Sequence, residues 1–315
     1  MLKVLVTCPP MLRSIDTVRP LFQRYNVELF TPHVVQTLTV GELKTLLPDF
    51  DGWIIGDDPA TKEVFEAGKA GKLKAAVKWG VGVDNVDFRA AQALGIPISN
   101  TPGMFGREVA DVALGYVIAL ARETFFIDRE VKQGRWVKPV GISLAEKTAA
   151  VIGFGDIGSN VAKRLLACEM NVNVYDPFYK PKPELHAVNV YPFPEKINEA
   201  DFLVLTCALT KENFHMINAD VFSQMKNGVR IVNVARGPLI DEQALIAALR
   251  SGKVHSAALD VFETEPLPIE SPLRQFDRCI FGSHNSSNTI EAVQRTNELA
   301  ARTLLKYLGI VDEKG

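Results

Sequence analysis

Short apolar runs rich in Val, Ile and Leu recur along the whole chain, and stretches with apolar residues at helical spacing separate them. KVLVT (3–7), VELF (27–30), WIIG (53–56) and AAVKW (75–79) read as strands in the first third. TAAVIG (148–153), VNVYD (172–176), FLVLT (202–206), VRIVNVA (229–235), SAALDVF (256–262) and CIFG (279–282) read as strands in the rest. Helical patterns such as TKEVFEAGKAG (61–71) and DFRAAQALG (87–95) lie between them. Largely apolar strands alternating with helices mark an α/β architecture with parallel sheets covered on both faces. The strands are too many for one comfortable sheet, so the pattern predicts two doubly wound domains. Pro102, Gly103 and Gly106 in ISNTPGMFG (98–106) interrupt it and mark the boundary. A long amphipathic helix is expected next, from about Arg107 to Gly134. The last segment, 289–309, reads as one long helix with no strand after it. It either packs on the second domain or crosses back to the first.

One loop carries a recognisable chemistry. AAVIGFGDIGSNVAKRLLA (149–167) holds G-x-G-x-x-G as Gly153, Gly155 and Gly158, with a strand before it and a helix after it. The glycines allow a tight turn, close approach of backbone to a pyrophosphate, and close packing of helix on strand. The helix N-terminus offers amides and partial positive charge to phosphates. Asp176 follows the next strand, 18 residues beyond Gly158, where a carboxylate binds adenosine ribose hydroxyls. An S-adenosylmethionine methyltransferase can share a glycine loop and a downstream acid, but it has no need of the residues that follow.

Three charged or titratable residues lie just past later strands. Arg236 stands in VNVARGPLIDEQAL (232–245), Glu265 in ALDVFETEP (258–266) and His284 in IFGSHNSSNT (280–289). Open parallel sheets bind ligands at the carboxyl ends of their strands, so the three can share one crevice. Taken singly, each reads as a surface cation, a loop acid and a loop histidine. Together in a dinucleotide domain they form a set. Hydride transfer at a carbonyl needs a proton at its oxygen, and histidine titrates in the right range. A neighbouring carboxylate fixes the imidazole's tautomer and favours its protonated form. Arginine binds a carboxylate through two charge-assisted bonds and can polarise the carbonyl. The set predicts an oxidoreductase of 2-oxo and 2-hydroxy acids.

The 315 residues, 47% hydrophobic and 23% charged, suit a globular protein with a sizeable core. A net charge of −2 with no basic stripe argues against a nucleic-acid partner. VALGYVIALA (112–121) is too short for a membrane span. The start lacks the apolar core and cleavage site of a signal peptide. Cys8, Cys168, Cys207 and Cys279 are scattered, which predicts reduced thiols, a cytoplasmic protein and no metal site.

With these motifs the chain resembles the D-isomer-specific 2-hydroxyacid dehydrogenases, in the branch of phosphoglycerate dehydrogenase and glyoxylate/hydroxypyruvate reductase. The likeness runs through WGVGVDNVD (79–87), GIPISNTPG (95–103), VAD (109–111), GFGDIG, NVARGPLIDEQAL, AALDVFETEP and the His284 segment. It implies a flavodoxin-like substrate domain of residues 1–99 plus 288–315, and an inserted NAD-binding Rossmann domain of residues 100–287. It implies that Arg236 binds and orients substrate, Glu265 supports the histidine, and His284 donates and accepts the proton. Amides of Val81 and Gly82 would hold the substrate carboxylate, with Asn100 nearby. Gly153, Gly155, Asp156, Ile157, Gly158 and Asp176 would bind NAD. Cys207 would line the cofactor groove, Val234 and Asp260 would flank the nicotinamide with Asp260 reaching its carboxamide, and Ser287 would complete the cofactor set. A homodimer through the nucleotide domain is implied, with the helix 107–122 as candidate interface.

The chain also departs from the family. Ser283, Asn285, Ser286 and Ser287 surround the histidine where the family usually has proline and an Ala- or Gly-containing turn. Asp111 replaces a common glutamate. GDDP (56–59) carries Asp57 and Asp58 where phosphoglycerate dehydrogenases typically have a basic residue, so like charges are expected to disfavour a substrate phosphate. Three alternatives remain: phosphoglycerate dehydrogenase proper, a low-turnover NAD(H)-sensing protein, and a dehydrogenase of formate or phosphite. Val81, where phosphite dehydrogenases place lysine, weakens the last.

Overall fold

A computed structural model describes residues 1–311. The chain divides into two compact units, one of Met1–Met104 with the chain from Asn288, the other of Phe105–Ser287. Each holds one parallel sheet, so the two-sheet α/β architecture expected from the strand pattern is present.

In the first unit β1 (Leu2–Val6), β2 (Val27–Phe30), β3 (Gly52–Ile55), β4 (Ala75–Lys78) and β5 (Ile98–Asn100) form a sheet in the order β2-β1-β3-β4-β5. Every residue of β3 and β4 is buried, which is why these strands read as apolar runs, with Lys78 at the end of β4 the one cation among them. The final helix, Ile290–Tyr307, packs on β3 and β4. Thr289 caps it by accepting the Ala292 amide. Its buried residues, among them Val293, Asn297, Ala300, Ala301 and Leu304, follow helical spacing on one face. Asn297 is the polar exception on that face. It accepts from Trp79 Nε1 at 2.8 Å and donates to Ser14 Oγ at 2.9 Å.

In the second unit β6 (Thr148–Ile152), β7 (Asn171–Tyr175), β8 (Asn189–Val190), β9 (Phe202–Leu205), β10 (Val229–Asn233), β11 (Val254–Leu259) and β12 (Ile280–Phe281) lie in the order β12-β11-β10-β9-β6-β7-β8. The chain runs outward from β6 in both directions, so the topological switch point falls between β6 and β9. In doubly wound sheets ligands bind at the carboxyl end of that point.

The long helix expected over 107–134 is two helices, Gly106–Arg122 and Thr124–Lys132. Glu123 breaks it with a left-handed backbone, φ +53°, and a carboxylate turned inward. Arg278 Nε and His255 Nε2 each lie 3.4 Å from that carboxylate. Burial first, then the Arg230 and Arg278 guanidiniums, push the His255 imidazole down to about 4. An imidazole depressed below its unfolded value contributes stability in full above pH ~6.5, and that contribution is lost as pH falls toward 4. Between pH 7 and 4.5 the protein should therefore lose about 1–3 kcal/mol more stability than a His255→Gln variant. Urea unfolding at the two pH values checks this, and equal losses would refute it.

Candidate active site

The carboxyl ends of β6, β7, β9, β10, β11 and β12 carry the residues singled out in the second unit. Gly153 has φ +92°, and a Cβ there would press on the Cys207 backbone, 2.7 Å from its Cα. Cys207 thus backs the glycine loop directly, and burial pushes its thiol up to about 11. A Cβ on Gly158 would sit on the Gly153 carbonyl, so helix and strand touch there. A Cβ on Gly155 meets nothing within 4 Å, which leaves open space over the loop. The helix Asp156–Ala167 starts there, and the amides of its first turn, Asp156, Ile157 and Gly158, have no acceptor within the helix. This is a cradle fitted to a pyrophosphate.

Asp176 follows β7. Its carboxylate accepts the Phe154 amide at 2.6 Å and the Phe178 amide at 2.7 Å. These bonds hold it at the edge of the glycine loop with acceptor capacity left for ribose hydroxyls. Lys182 donates to Ser159 Oγ and stands 5.8 Å above the Phe154 ring, so this cation is tied to the same loop.

His284 Nδ1 lies 2.8 Å from Glu265 Oε2. The other carboxylate oxygen, Oε1, accepts the Phe262 amide at 3.0 Å. Glu265 is therefore fixed at both ends, and Nε2 is the ring nitrogen on the side away from it. His284 has φ +54°, an uncommon conformation for a side chain of this kind. Asp260 holds it there. The Asp260 carbonyl accepts the His284 amide at 2.7 Å, and its carboxylate accepts the amides of Asn285 and Ser286 at 3.1 and 2.9 Å. The sequence suggested contact with a nicotinamide for Asp260; its role in mounting the histidine loop was not legible there.

Arg236 follows β10 and donates to the Ala235 carbonyl at 2.8 Å. Buried Asn233 clamps this turn: Nδ2 donates to the Arg236 carbonyl at 2.9 Å and Oδ1 accepts the Ala235 amide at 3.0 Å. Asn233 was not singled out from the sequence, although a polar residue ending the apolar run VRIVNVA was the available sign. Gly237 has no room for a Cβ, which would sit on the Phe262 carbonyl. The arginine turn and the turn carrying Glu265 are thus in backbone contact. Val234 is buried beside Arg236, Ser286 is buried, and Ser287 ends the loop.

In the first unit Gly80 opens the 79–83 loop with φ +117°. Thr101 Oγ1 accepts the Gly80 amide at 2.8 Å, and Asn100 Nδ2 donates to the Val81 carbonyl at 3.1 Å. Val81 is exposed and Gly82 half-buried.

The expectation of two bare carboxylates at 57 and 58 is corrected. Asp58 is fully buried. It accepts the Leu38 amide at 2.8 Å, the Gly56 amide at 3.1 Å and the Thr7 hydroxyl; burial pushes its carboxyl up. Asp57 lies 3.0 Å from the ammonium of buried Lys78, which also donates to the Gly56 carbonyl at 2.7 Å. The loop presents one paired carboxylate.

The family described as D-isomer specific 2-hydroxyacid dehydrogenase, NAD binding domain, matches residues 114–286. The chain belongs to this family. It is 37% identical to a hydroxypyruvate reductase of Thermotoga maritima, over 92% of this chain and 94% of the relative. It is 36% identical to a D-3-phosphoglycerate dehydrogenase of Archaeoglobus fulgidus, over 96% of this chain but only 57% of that longer protein. The structure superposes on a glyoxylate reductase from Paecilomyes thermophila with TM-score 0.83 at 29% identity, covering 96% of this chain and 94% of the other. The protein is an NAD-dependent oxidoreductase of the CH–OH group that moves a hydride between nicotinamide and a small 2-oxo/2-hydroxy acid. No helix among the described residues is long and apolar enough to cross a membrane.

Proposed function

We propose that the protein reduces a small D-2-hydroxyacid precursor of the glyoxylate or hydroxypyruvate type, with His284 as proton donor, Glu265 as its support and Arg236 as substrate anchor. The observation that carries this is the 2.8 Å His284–Glu265 contact, mounted on the same sheet edge as the glycine loop and Arg236. When bound, NADH supplies the hydride to the carbonyl carbon. The chain's own residues do the rest. Arg236 pairs with the carboxylate and polarises the carbonyl, and His284 Nε2 delivers the proton to the carbonyl oxygen. In the first unit, Val81 and Gly82 would offer amides to a carboxylate, and Asn100 steadies their loop. Gly153, Gly155, Asp156, Ile157 and Gly158 hold the pyrophosphate, Asp176 the ribose, and Cys207, Val234, Asp260 and Ser287 line the remaining groove.

A phosphorylated substrate is the second reading. Buried Lys78 beside Asp57 favours it, because the expected like-charge penalty reduces to one paired carboxylate. The test is NADH turnover with glyoxylate, hydroxypyruvate and phosphohydroxypyruvate. The unphosphorylated acids should have the higher kcat/KM, and Asp57→Asn should narrow the gap by unpairing Lys78. A wild-type preference for the phosphorylated acid would overturn the first reading. In the same assay NADH should exceed NADPH by at least about tenfold in kcat/KM. Asp176 would repel a 2′-phosphate, at about 1–4 kcal/mol for a like pair near 4 Å. No turnover at all would point to the NAD(H)-sensing alternative.

A homodimer through the nucleotide unit belongs to the same reading, with the helix Gly106–Arg122 as its candidate surface. The helix buries Val109, Ala113, Val117 and Leu120 inside its own unit and leaves Gly115 and Ile118 exposed on its outer side. Large apolar side chains are also exposed just downstream, at Phe125, Val131, Trp136 and Val140. Trp136→Glu with Val140→Glu should shift the sedimenting mass from two chains to one; a wild-type monomer would refute the dimer. A cytoplasmic location fits the four cysteines, all free thiols.

A further inference from the structure

The second unit contains another imidazole–carboxylate pair. His215 Nε2 lies 2.8 Å from Glu263 Oε1, and the same oxygen accepts the Glu242 amide at 2.9 Å. We propose that His215 is a positioning residue that, through Glu263, sets the arginine turn and the turn carrying Glu265 relative to each other. This rests on the proposed roles of Arg236, Glu265 and His284.

The bonds around His215 reach both turns. Its backbone is left-handed, φ +52°, and its amide donates to the Pro238 carbonyl at 2.8 Å. Two residues on, Ile217 donates to the Leu239 carbonyl and accepts the Asp241 amide, each at 3.0 Å. The 215–217 strip is therefore laced to the segment that directly follows Arg236. On the other side, Glu263 lies one residue past Phe262, whose amide holds Glu265. Gly237 lets the Phe262–Glu263 backbone lie against the residue after Arg236. The imidazole meets the Glu263 carboxylate at 2.8 Å as an ion-pair contact, beside the Glu242 amide bond that already ties this turn to the segment after Arg236.

The imidazole sits between acids. The carboxylate of Asp241 approaches the same place, with ligating atoms of His215, Asp241 and Glu263 all within 4.8 Å. Asp241 also caps the following helix by accepting the Ala244 amide. Burial and then Glu263 push the Glu242 carboxyl up, so acids crowd here. The Phe214 ring stacks on the imidazole, centroids 4.0 Å apart, and limits its rotation. Removing the imidazole leaves facing carboxylates to separate, and the turn bearing Glu265 with them.

The test uses His215→Ala, His215→Gln, Glu263→Gln and the His215→Ala/Glu263→Gln double variant in the full chain, with NADH affinity read by fluorescence. His215→Ala should raise KM for the 2-oxo acid and lower kcat, for a loss of about ten- to a hundredfold in kcat/KM. NADH affinity should hold, because the glycine loop is untouched. The pH limit of reduction should move lower as Glu265 is less well aimed at His284. The double variant should be little worse than the single, and His215→Gln should recover part of the loss. If His215→Ala does not fold, Glu263→Gln and His215→Gln carry the same readouts. A wild-type pH profile and kcat/KM in these variants would overturn the proposal, as would additive losses in the double variant. So would chelator-sensitive activity restored by Zn²⁺, which would make the trio a metal site. Absence of turnover in the wild type would instead defeat the proposed function.

Discussion

His284→Ala is expected to keep its NADH affinity and lose about 10²- to 10⁴-fold in kcat in both directions, the usual contribution of a positioned acid–base group. Reduction takes up one proton at the carbonyl oxygen, so it needs the imidazolium with the reduced cofactor. Oxidation returns that proton and needs the neutral ring. Reduction should therefore fail toward high pH and oxidation toward low pH, through the same group. Glu265 Oε2 at 2.8 Å from Nδ1 orients the ring and leaves Nε2 as the nitrogen on its other side. Glu265→Gln keeps a hydrogen-bonding group but removes the charge. It should lose less than His284→Ala and move the reduction limit to lower pH. The loop itself should survive both changes, since Asp260 holds it through three backbone amides. Steady-state rates across pH, in both directions, check the set. Near wild-type kcat in His284→Ala would show that water or another group carries the proton.

The parts of the fold that were legible share a physical cause. Strands buried on both faces are largely apolar, so β3, β6 and β9 announce themselves as runs. The glycine loop was legible because close backbone contact at Gly153 and Gly158 excludes other residues. What was missed depends on partners distant in sequence. β5 is three half-buried residues, ISN, and looks like part of a boundary. Glu123 fits a helical pattern, and only Arg278 and His255 explain why it breaks one. Asp58 reads as a surface acid because its donors, Thr7 and Leu38, lie 51 and 20 residues away. Arg236, Glu265 and His284 could be proposed as a catalytic set because each follows a strand. Its mounts, Asn233, Asp260 and the His215–Glu263 pair, act through backbone and loop contacts that leave no spacing rule.

Arg236→Ala is expected to lose about 10²- to 10⁴-fold in kcat/KM for the 2-oxo acid, with NADH affinity unchanged. Two charge-assisted bonds to a carboxylate are lost, at about 1.5–3 kcal/mol each. The loss should be shared between the constants. Binding the carboxylate acts on substrate and transition state alike and appears in KM. Polarising the carbonyl grows as charge develops on its oxygen and appears in kcat. Arg236→Lys should recover little, because an ammonium cannot reproduce the planar fork. Added guanidinium should recover part of the Arg236→Ala loss, since the vacated turn keeps its shape. Asn233 clamps the Arg236 and Ala235 backbone with both ends of its amide, and Gly237 remains pressed against Phe262. That distinguishes the arginine from its mount. Asn233→Ala leaves the guanidinium in the protein but frees the turn, so it should also raise KM and should not respond to guanidinium. Initial rates over substrate concentration for the three variants, with and without guanidinium, decide the matter. An Arg236→Ala protein with wild-type kcat/KM would remove this residue from the substrate site.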